Sequence, residues 1–247
     1  MRARMDEKVK DDQCHSHTNH CECQHNSCIS VVPIFNHLEE KQMCEIAKVM
    51  HTVSYKKGEV IYRAGNDSDS LYIVSKGKVK IYRLSESGKE QLIRILQIGD
   101  FTGELALFNE CIHEAYAEAM EQVEICKMKR TDLQELLIKY PSISLKLLSE
   151  FSNRLGEAEK QTTRFATEKV DTRIALYLAE CLEDSKHSSE FVLPMTKKNL
   201  ASYLGTTPET ISRKFYEFED AGLIKQIAHN RIEILDLEEL LLIYGKA

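Results

Sequence analysis

Short stretches of alternating or continuous apolar residues, each ended by a turn, run from Ser54 to Leu96 and constrain the fold more than any other feature. The predicted strands are Glu59–Tyr62, Leu71–Val74, Lys78–Tyr82 and Gln91–Leu96, and the turns between them contain Gly65, Gly77 and Gly88. Lys78–Tyr82 alternates polar and apolar side chains, as a strand with one buried face does. Several short strands at regular spacing predict an all-β barrel or roll.

Helical periodicity begins after Pro141, a residue suited to the first turn of a helix because its missing N–H is not needed there. Apolar residues then recur at spacings of four, four, four, three and seven: Ile143, Leu147, Phe151, Leu155, Ala158 and Phe165. They predict one apolar stripe along a helix of about seven turns. Two interpretations are open, namely packing on the chain's own β-roll or, the one we favour, the coiled-coil-like seam of a homodimer.

The segment 195–214 has the pattern of a helix-turn-helix. Thr196 is the predicted N-cap of the first helix. Gly205 stands where the chain must turn sharply, because glycine adopts left-handed backbone conformations without steric cost. Thr207 is the predicted N-cap of the second helix, and Pro208 occupies its first turn.

The outer face of this second helix presents Glu209, Ser212 and Arg213, and residues 231–235 alternate as a wing strand would. Arg213 can contact guanine with two hydrogen bonds, Glu209 can accept one from cytosine, and Ser212 can pack on a thymine methyl. The further predicted DNA contacts are Lys197, Lys198, Thr207, Pro208 and Lys214. An ordinary three-helix packing unit is the alternative, disfavoured because caps, turn, polar triad and wing all agree.

The overall balance of the chain sets further limits. A net charge of −6 argues weakly against binding to nucleic acid, but residues 195–214 carry four basic side chains against one acid, so phosphates can be neutralised locally. No apolar run approaches the roughly 18 residues that span a bilayer. Met1–Asp12 is charged and has no apolar core, so we expect a cytoplasmic protein without a membrane partner.

Eight cysteines are present, and Cys14, Cys21, Cys23 and Cys28 lie within fifteen residues of the N-terminal arm. In a reducing cytoplasm, clustered cysteines indicate metal binding or redox chemistry more than structural disulfides. The arm, residues 1–29, has too few apolar residues to form a core and is predicted to be disordered unless something organises it.

Several motifs carry a family resemblance: Gly58-Glu59-Val60-Ile61, Leu71-Tyr72-Ile73-Val74, Gly77-Lys78-Val79, Gly99-Asp100-Phe101 and Gly103-Glu104-Leu105. With the helix-turn-helix, they resemble the CRP/FNR family over residues 30–240. The resemblance implies an α+β chain with an N-terminal cyclic-nucleotide-binding-type β-roll, a long dimerisation helix and a C-terminal winged helix-turn-helix. The implied domains are the Cys/His-rich arm (1–29), the roll (30–140), the helix (141–167) and the DNA-binding domain (168–247).

The implied function is that of a sequence-specific, homodimeric transcription regulator, with double-stranded DNA as a partner and RNA polymerase as a candidate partner. The alternative of another class is a nucleotide-binding signalling module that does not bind DNA. We expect no enzyme, since the sequence offers neither a nucleophile–base constellation nor a phosphate loop.

The triad Glu209, Ser212 and Arg213 resembles the oxygen-sensing FNR branch, which implies TTGAT-like palindromic half-sites. The CRP branch usually has arginine at the position of Pro208. In members that bind cyclic AMP, an Arg-Ser or Arg-Thr pair after the Gly-Glu-Leu motif holds the phosphate. Here that stretch reads His113-Glu114-Ala115-Tyr116 and contains no cation, so cyclic AMP is not expected to bind.

FNR-type regulators hold a [4Fe–4S] cluster with three cysteines of the arm and one of the roll, and thiolates are the usual ligands of such clusters. The resemblance assigns Cys21, Cys23, Cys28 and Cys126 to this role and implies a response to oxygen. Each gap in the arm is one residue shorter than in the family, and Cys14 can take the place of Cys21. Three alternatives stay open: a zinc site that uses the arm histidines, thiol redox sensing, or an arm without metal and Cys126 as a small core residue.

Overall fold

The computed structural model describes residues 29–107, 111–185, 189–228 and 230–244. The N-terminal half contains helix α1 (Glu40–Lys48) and strands β1 (Met50–Tyr55), β2 (Val60–Tyr62), β3 (Asp67–Ser68), β4 (Ser70–Lys76), β5 (Val79–Leu84), β6 (Glu90–Leu96), β7 (Phe101–Thr102), β8 (Cys111–Ile112), β9 (Tyr116–Ala119) and β10 (Val123–Lys129). Two helices follow, α2 (Arg130–Lys139) and α3 (Pro141–Thr167). The C-terminal part contains α4 (Val170–Asp184), β11 (Glu190–Val192), α5 (Lys197–Tyr203), α6 (Pro208–Asp220), β12 (Ile224–Ala228), β13 (Arg231–Ile234) and α7 (Leu237–Tyr244).

Two four-stranded antiparallel sheets form the roll, in the orders β1-β10-β4-β7 and β2-β9-β5-β6. Gly77 makes the turn between β4 and β5 with a φ of +81°. A Cβ atom at Gly77 would lie 2.6 Å from the carbonyl oxygen of Gln122, so both the backbone conformation and the close approach require glycine. The predicted β-roll is confirmed, and each predicted strand lies within or beside an observed one.

The first turns of α3 pack on the roll. Ile143 is 0% exposed and Leu147 is 1% exposed, in a core shared with Phe35 and Phe101. The prediction that these two residues line a dimer seam is therefore wrong, because their side chains are already buried within the chain. The alternative interpretation, packing on the roll, is correct for this end of the helix.

Farther along α3 the stripe leaves the core. Phe151 is only partly buried against it, Ala158 is exposed, and Leu155 is 61% exposed. Two leucines that the predicted stripe omitted, Leu145 and Leu148, are 70% and 60% exposed. The outward-facing apolar residues of α3 in this structure are thus partly different from the predicted ones.

The C-terminal part has its own core, built from α4, α5, α6 and the three-stranded sheet β11-β13-β12. Ile211, Phe215 and Phe218 bury the inner face of α6, and Ile232 and Ile234 of the wing strand face the same core. The predicted winged helix-turn-helix is confirmed. Among the described residues, no helix combines the length and the apolar character that a membrane crossing requires.

Candidate nucleic-acid interface

The two helices of the helix-turn-helix begin where their caps predict. The Thr196 hydroxyl accepts a hydrogen bond from the Asn199 N–H, and the Thr207 hydroxyl accepts one from the Thr210 N–H, each at 3.3 Å. Gly205 has a φ of +66° in the turn between them. These local interactions fix where each helix begins, and the exposure of Pro208 and Glu209 shows that the N-terminus of α6 lies at the surface, as an element that enters the major groove requires.

The predicted base-contacting triad lies on the exposed face of α6. Glu209, Ser212 and Arg213 are all exposed. The guanidinium of Arg213 has only a 3.8 Å contact to Glu217, and its side chain is 67% exposed. A hydrogen bond to its own backbone N–H and a second one to Thr207 lower the pKa of Glu209. Glu209 is therefore an ionised acceptor at neutral pH, and Arg213 is a donor that is free to turn toward a base.

The predicted lysine contacts differ in their surroundings. Lys198 is exposed. Lys197 donates to Gln226 of the wing at 2.7 Å and lies 5.1 Å from the centre of the Phe215 ring. Its amino group is thus held against the wing rather than extended into solvent.

Lys214 requires a correction. Its side chain is only 19% exposed and pairs with Glu217 at 2.6 Å and with Asp171 at 3.6 Å. Lys214 follows Ile211 by three residues, so it lies beside the buried face of α6 and not on the outer face. The structure therefore does not support Lys214 as a DNA contact.

Tyr216 belongs to the outer face and was missed by the sequence prediction. It is 67% exposed and follows Ser212 by four residues and Arg213 by three. Residues at these spacings lie on one face of a helix. The signal was present in the sequence, because the same spacing rule that selected Arg213 also selects Tyr216.

The C-terminal end of α3 contacts the helix-turn-helix. The Phe165 ring lies against the turn, where a Cβ atom on Gly205 would be 2.9 Å from it, and the Arg173 guanidinium stands 4.9 Å from the ring centre. Arg164 pairs with Glu180 of α4 at 2.6 Å. Phe165, predicted at the dimer seam, is therefore used within the chain.

The roll contains a cavity of about 210 Å³. It includes His113, Glu114 and Ala115 of the stretch from which we expect no binding of cyclic AMP. Arg83, Arg94, Glu104, His113 and Glu114 are among the residues that line it. The stretch 113–116 supplies no arginine, but two arginines from the neighbouring strands β5 and β6 line the same cavity. Arg83 is paired with Glu114, and Arg94 donates to Glu104 at 3.0 Å.

Glu104 also joins the roll to α3. Its carboxylate accepts a hydrogen bond from Arg154 at 2.6 Å, and Arg154 donates at 3.0 Å to the carbonyl oxygen of Phe101. Burial by itself raises the pKa of Glu104, but Arg94 and Arg154 outweigh that effect and hold the pKa below its ordinary value. Glu104 is therefore ionised and already neutralised by the protein.

Cys126 is the one predicted cluster ligand within the described residues, since Cys21, Cys23 and Cys28, like Cys14, lie outside them. It is fully buried in β10, with its sulfur 3.6 Å from the Thr52 hydroxyl. Ile29, the last residue of the arm segment, is buried in the same apolar core as Cys126. In the part of the chain that the structure describes, no group of three or more potential metal ligands occurs.

Taken together, a β-roll, a long helix and a winged helix-turn-helix with an exposed polar triad define a DNA-binding transcription regulator. Comparison with known sequences agrees with this class. Residues 52–140 match the cyclic nucleotide-binding domain family, and residues 172–243 match the Crp-like helix-turn-helix domain family.

The chain belongs to the CRP/FNR family of transcription regulators. It is 34% identical over 215 residues to the probable transcriptional regulator flp of Lacticaseibacillus casei, covering 87% of this chain and 97% of that one. It is 26% identical to the fumarate and nitrate reduction regulatory protein of Vibrio cholerae, covering 92% of this chain and 90% of that one. A solved CooA mutant from Carboxydothermus hydrogenoformans has the same fold, with a TM-score of 0.71 and 20% identity over 81% of this chain and 90% of that one. The two curated relatives are named as regulators, which agrees with the expectation of a regulator and not an enzyme.

Proposed function

We propose that this regulator recognises TTGAT-like palindromic half-sites through Glu209, Ser212 and Arg213. The observation that carries the proposal is the exposure of all three in the N-terminal half of α6, a helix whose start the Thr207 cap defines. Arginine matches the paired acceptors of guanine, and a carboxylate matches the amino group of cytosine. Phosphate contacts come from the exposed Lys198 and Thr207, and Pro208, which has no N–H to donate, packs against the DNA backbone.

Replacing Arg213 tests this assignment. Arg213→Ala should weaken binding to a TTGAT palindrome by about 1–3 kcal/mol for each half-site and relax selectivity at one guanine of each half-site. Lys214→Ala is the matched control, because it removes a neighbouring cation that is paired inside the domain. Equal losses for the two variants in a fluorescence-anisotropy titration would show that general charge, and not the outer face of α6, governs binding.

The active protein is proposed to be a homodimer. Leu145, Leu148 and Leu155 are exposed along α3, and Phe151 and Ala158 flank them. Spacings of three and seven residues place the three leucines on one face, as a coiled-coil seam requires. A twofold dimer would place two recognition helices about 34 Å apart, the separation of successive major grooves on one side of the duplex.

Leu155→Glu should give monomers in sedimentation equilibrium and abolish binding to the palindrome, because a charge at the seam loses its hydration without a partner. Leu242→Glu is the control, since Leu242 lies on α7 with almost the same exposure, 62% against 61%. A Leu155→Glu protein that stays dimeric would show that this face of α3 is not the dimer interface.

The signal is proposed to be oxygen, sensed through a [4Fe–4S] cluster held by Cys126 with Cys23, Cys28 and either Cys21 or Cys14. Support comes from the thiol chemistry, from Ile29 in the core around Cys126, and from relatives named anaerobic regulatory protein and fumarate and nitrate reduction regulatory protein. When bound, such a cluster supplies an oxygen-labile link between thiolates. Cys126 fits as one ligand by its thiol chemistry and by its place in the core that also contains Ile29, the residue after Cys28.

In this proposal, Cys126 connects the arm to the long helix α3. Cys126 lies in β10, the strand that leads directly into α2 and then into α3. A link from Cys126 to the arm would tie residues 1–29 to the base of the seam, and its loss would shift the monomer–dimer equilibrium. A shift of about 1.4 kcal/mol changes dimerisation tenfold.

Anaerobic purification tests the sensor. The absorption of the cluster and its iron content should be present without air and lost on exposure to air, together with operator binding. Cys126→Ser should lack both, whereas Cys181→Ser should keep them. Stoichiometric zinc in the purified protein would contradict the cluster and support a zinc site. Full operator binding by iron-free protein would also contradict the cluster.

A further inference from the structure

Strand β6 is the outer strand of its sheet, and the helix-turn-helix covers its edge. An edge strand presents backbone groups that have no partner in the sheet. The Ser202 hydroxyl of α5 accepts a hydrogen bond from the Leu92 N–H at 2.7 Å and donates one to the Glu90 carbonyl oxygen at 2.7 Å. One serine thereby satisfies an outward N–H and an outward C=O of β6, in the way that a neighbouring strand would.

Two further contacts strengthen this junction. The side-chain amide of Gln91 donates to the Ser202 carbonyl oxygen at 2.6 Å, so α5 and β6 exchange hydrogen bonds in both directions. Leu92 is 1% exposed, and its side chain belongs to the core of the DNA-binding domain although the residue lies in the roll. The junction therefore combines three directional hydrogen bonds with a buried apolar contact.

The junction and the DNA-contacting face are separate surfaces. Ser202 contacts the roll, whereas Glu209, Ser212 and Arg213 stay exposed on α6. Docking on β6 thus leaves the recognition helix accessible while it fixes the direction in which that helix faces. A base contact by Ser202 is not needed for Ser202 to affect DNA binding.

We propose that Ser202 is a positioning residue, which holds the helix-turn-helix on the edge of β6 and orients the recognition helix for a two-half-site operator. The proposal rests on the assignment of α6 as the recognition helix. Binding of one half-site needs no fixed orientation, but simultaneous binding of two does. Loosening the junction should therefore lower the effective concentration of the second recognition helix at its half-site.

The test uses the full-length protein with Ser202→Ala and, from the other side of the junction, Gln91→Ala. Gln97→Ala is the matched control, since Gln97 is an exposed residue just beyond the end of β6. Two quantities are measured: amide hydrogen exchange at Leu92, and affinity for the palindrome relative to a duplex of random sequence. The exchange rate reports the junction directly, because the Leu92 N–H donates to Ser202.

We expect Ser202→Ala and Gln91→Ala to speed exchange at Leu92 and to lower affinity for the palindrome about tenfold, with affinity for random duplex within about twofold of the unmodified protein. Gln97→Ala should change neither quantity. Unchanged exchange at Leu92 would overturn the junction, and faster exchange with undiminished selectivity would overturn its positioning role. Arg213→Ala, measured in parallel, separates these outcomes from a wrong recognition helix, because it should lose selectivity without altering exchange at Leu92.

Discussion

The recognition helix and the cavity of the roll both carry arginine and glutamate, but they differ in how these groups are partnered. On α6, Arg213 is 67% exposed and its contact to Glu217 is 3.8 Å long. In the cavity, Glu104 is 13% exposed and accepts hydrogen bonds from two arginines. Charged groups that the protein leaves exposed can bind an external ligand, whereas groups already paired must lose those pairs first. Arg213 is therefore available to a DNA base, whereas Arg94 becomes available to a ligand only when its pair with Glu104 is broken.

The largest effect is expected when the internal pairing of the cavity is broken. Glu104→Gln removes the carboxylate shared by Arg94 and Arg154 and should lower the free energy of unfolding by about 2–3 kcal/mol at neutral pH. This estimate is below the ~3–5 kcal/mol of a fully buried pair because both arginines are partly exposed. Urea unfolding of the two proteins measures it, and equal midpoints would contradict the coupling between roll and α3.

The stabilisation that Glu104 provides depends on pH in a defined direction. The folded-state pKa of Glu104 is below its ordinary value of 4.5, so its stabilising effect is fully present above that value and is lost as the pH falls through the folded-state pKa. The stability difference between the unmodified protein and Glu104→Gln should therefore shrink in acid. A difference that grows as the pH falls would have the wrong sign for this ion pair.

A smaller effect is expected from removing one exposed cation. Lys198→Ala should weaken binding to all sequences about fivefold for each subunit at physiological salt, and the loss of two contacts in the dimer should reduce the slope of log affinity against log salt by about 1.8. Lys214→Ala should leave that slope unchanged, since its ammonium is paired within the domain. A salt titration of both variants distinguishes the exposed lysine from the paired one.

Tyr216 should contribute less than Lys198 to the free energy of operator binding. If its ring covers roughly 30 Å² of apolar surface such as a thymine methyl, Tyr216→Ala should weaken operator binding by about 0.7 kcal/mol. Tyr216→Phe keeps the ring and should retain most of the affinity. Selection of preferred operators by the three proteins would show the effect as a relaxed preference next to the guanine, and an unaltered preference would place Tyr216 outside the interface.

No effect is expected from cyclic AMP. Arg83 and Arg94 line the cavity, but Glu114 and Glu104 already neutralise them, so a phosphate would meet two carboxylates as well. Calorimetry with millimolar nucleotide should detect no heat of binding. Micromolar affinity would show that the internal pairs give way to a ligand, and the contrast between the two regions would then be lost.

Local patterns in the sequence predicted the elements of this fold well, because the relevant interactions are local. The caps Thr196 and Thr207, the turn at Gly205 and the short strands each depend on residues a few positions apart. The exposed triad followed from the same helical spacing. The predictions of the caps, the turn and the strands are confirmed because the local preferences of these residues agree with the tertiary structure.

The long helix shows where local patterns fail. Residues four apart advance by about 400° around a helix, so each step of four rotates the stripe by about 40°. Ile143 and Leu147 start on the face toward the roll, and Leu155 has left it. Likewise, the contacts of Ser202 with Glu90 and Gln91 and the pair of Lys214 with Asp171 join distant segments, which no spacing rule reveals. The arm cysteines stay a prediction, since they lie outside the described residues.

The most direct test of the recognition helix measures the coupling energy between Arg213 and the guanine that it is proposed to contact. Operators with the half-site guanine, or with 7-deazaguanine in its place, are titrated against the unmodified protein and Arg213→Ala. If α6 recognises DNA as proposed, loss of the N7 acceptor weakens the unmodified protein by about 1 kcal/mol or more and leaves Arg213→Ala unaffected, giving a clear coupling energy. Equal losses for both proteins, and hence no coupling, would contradict the account.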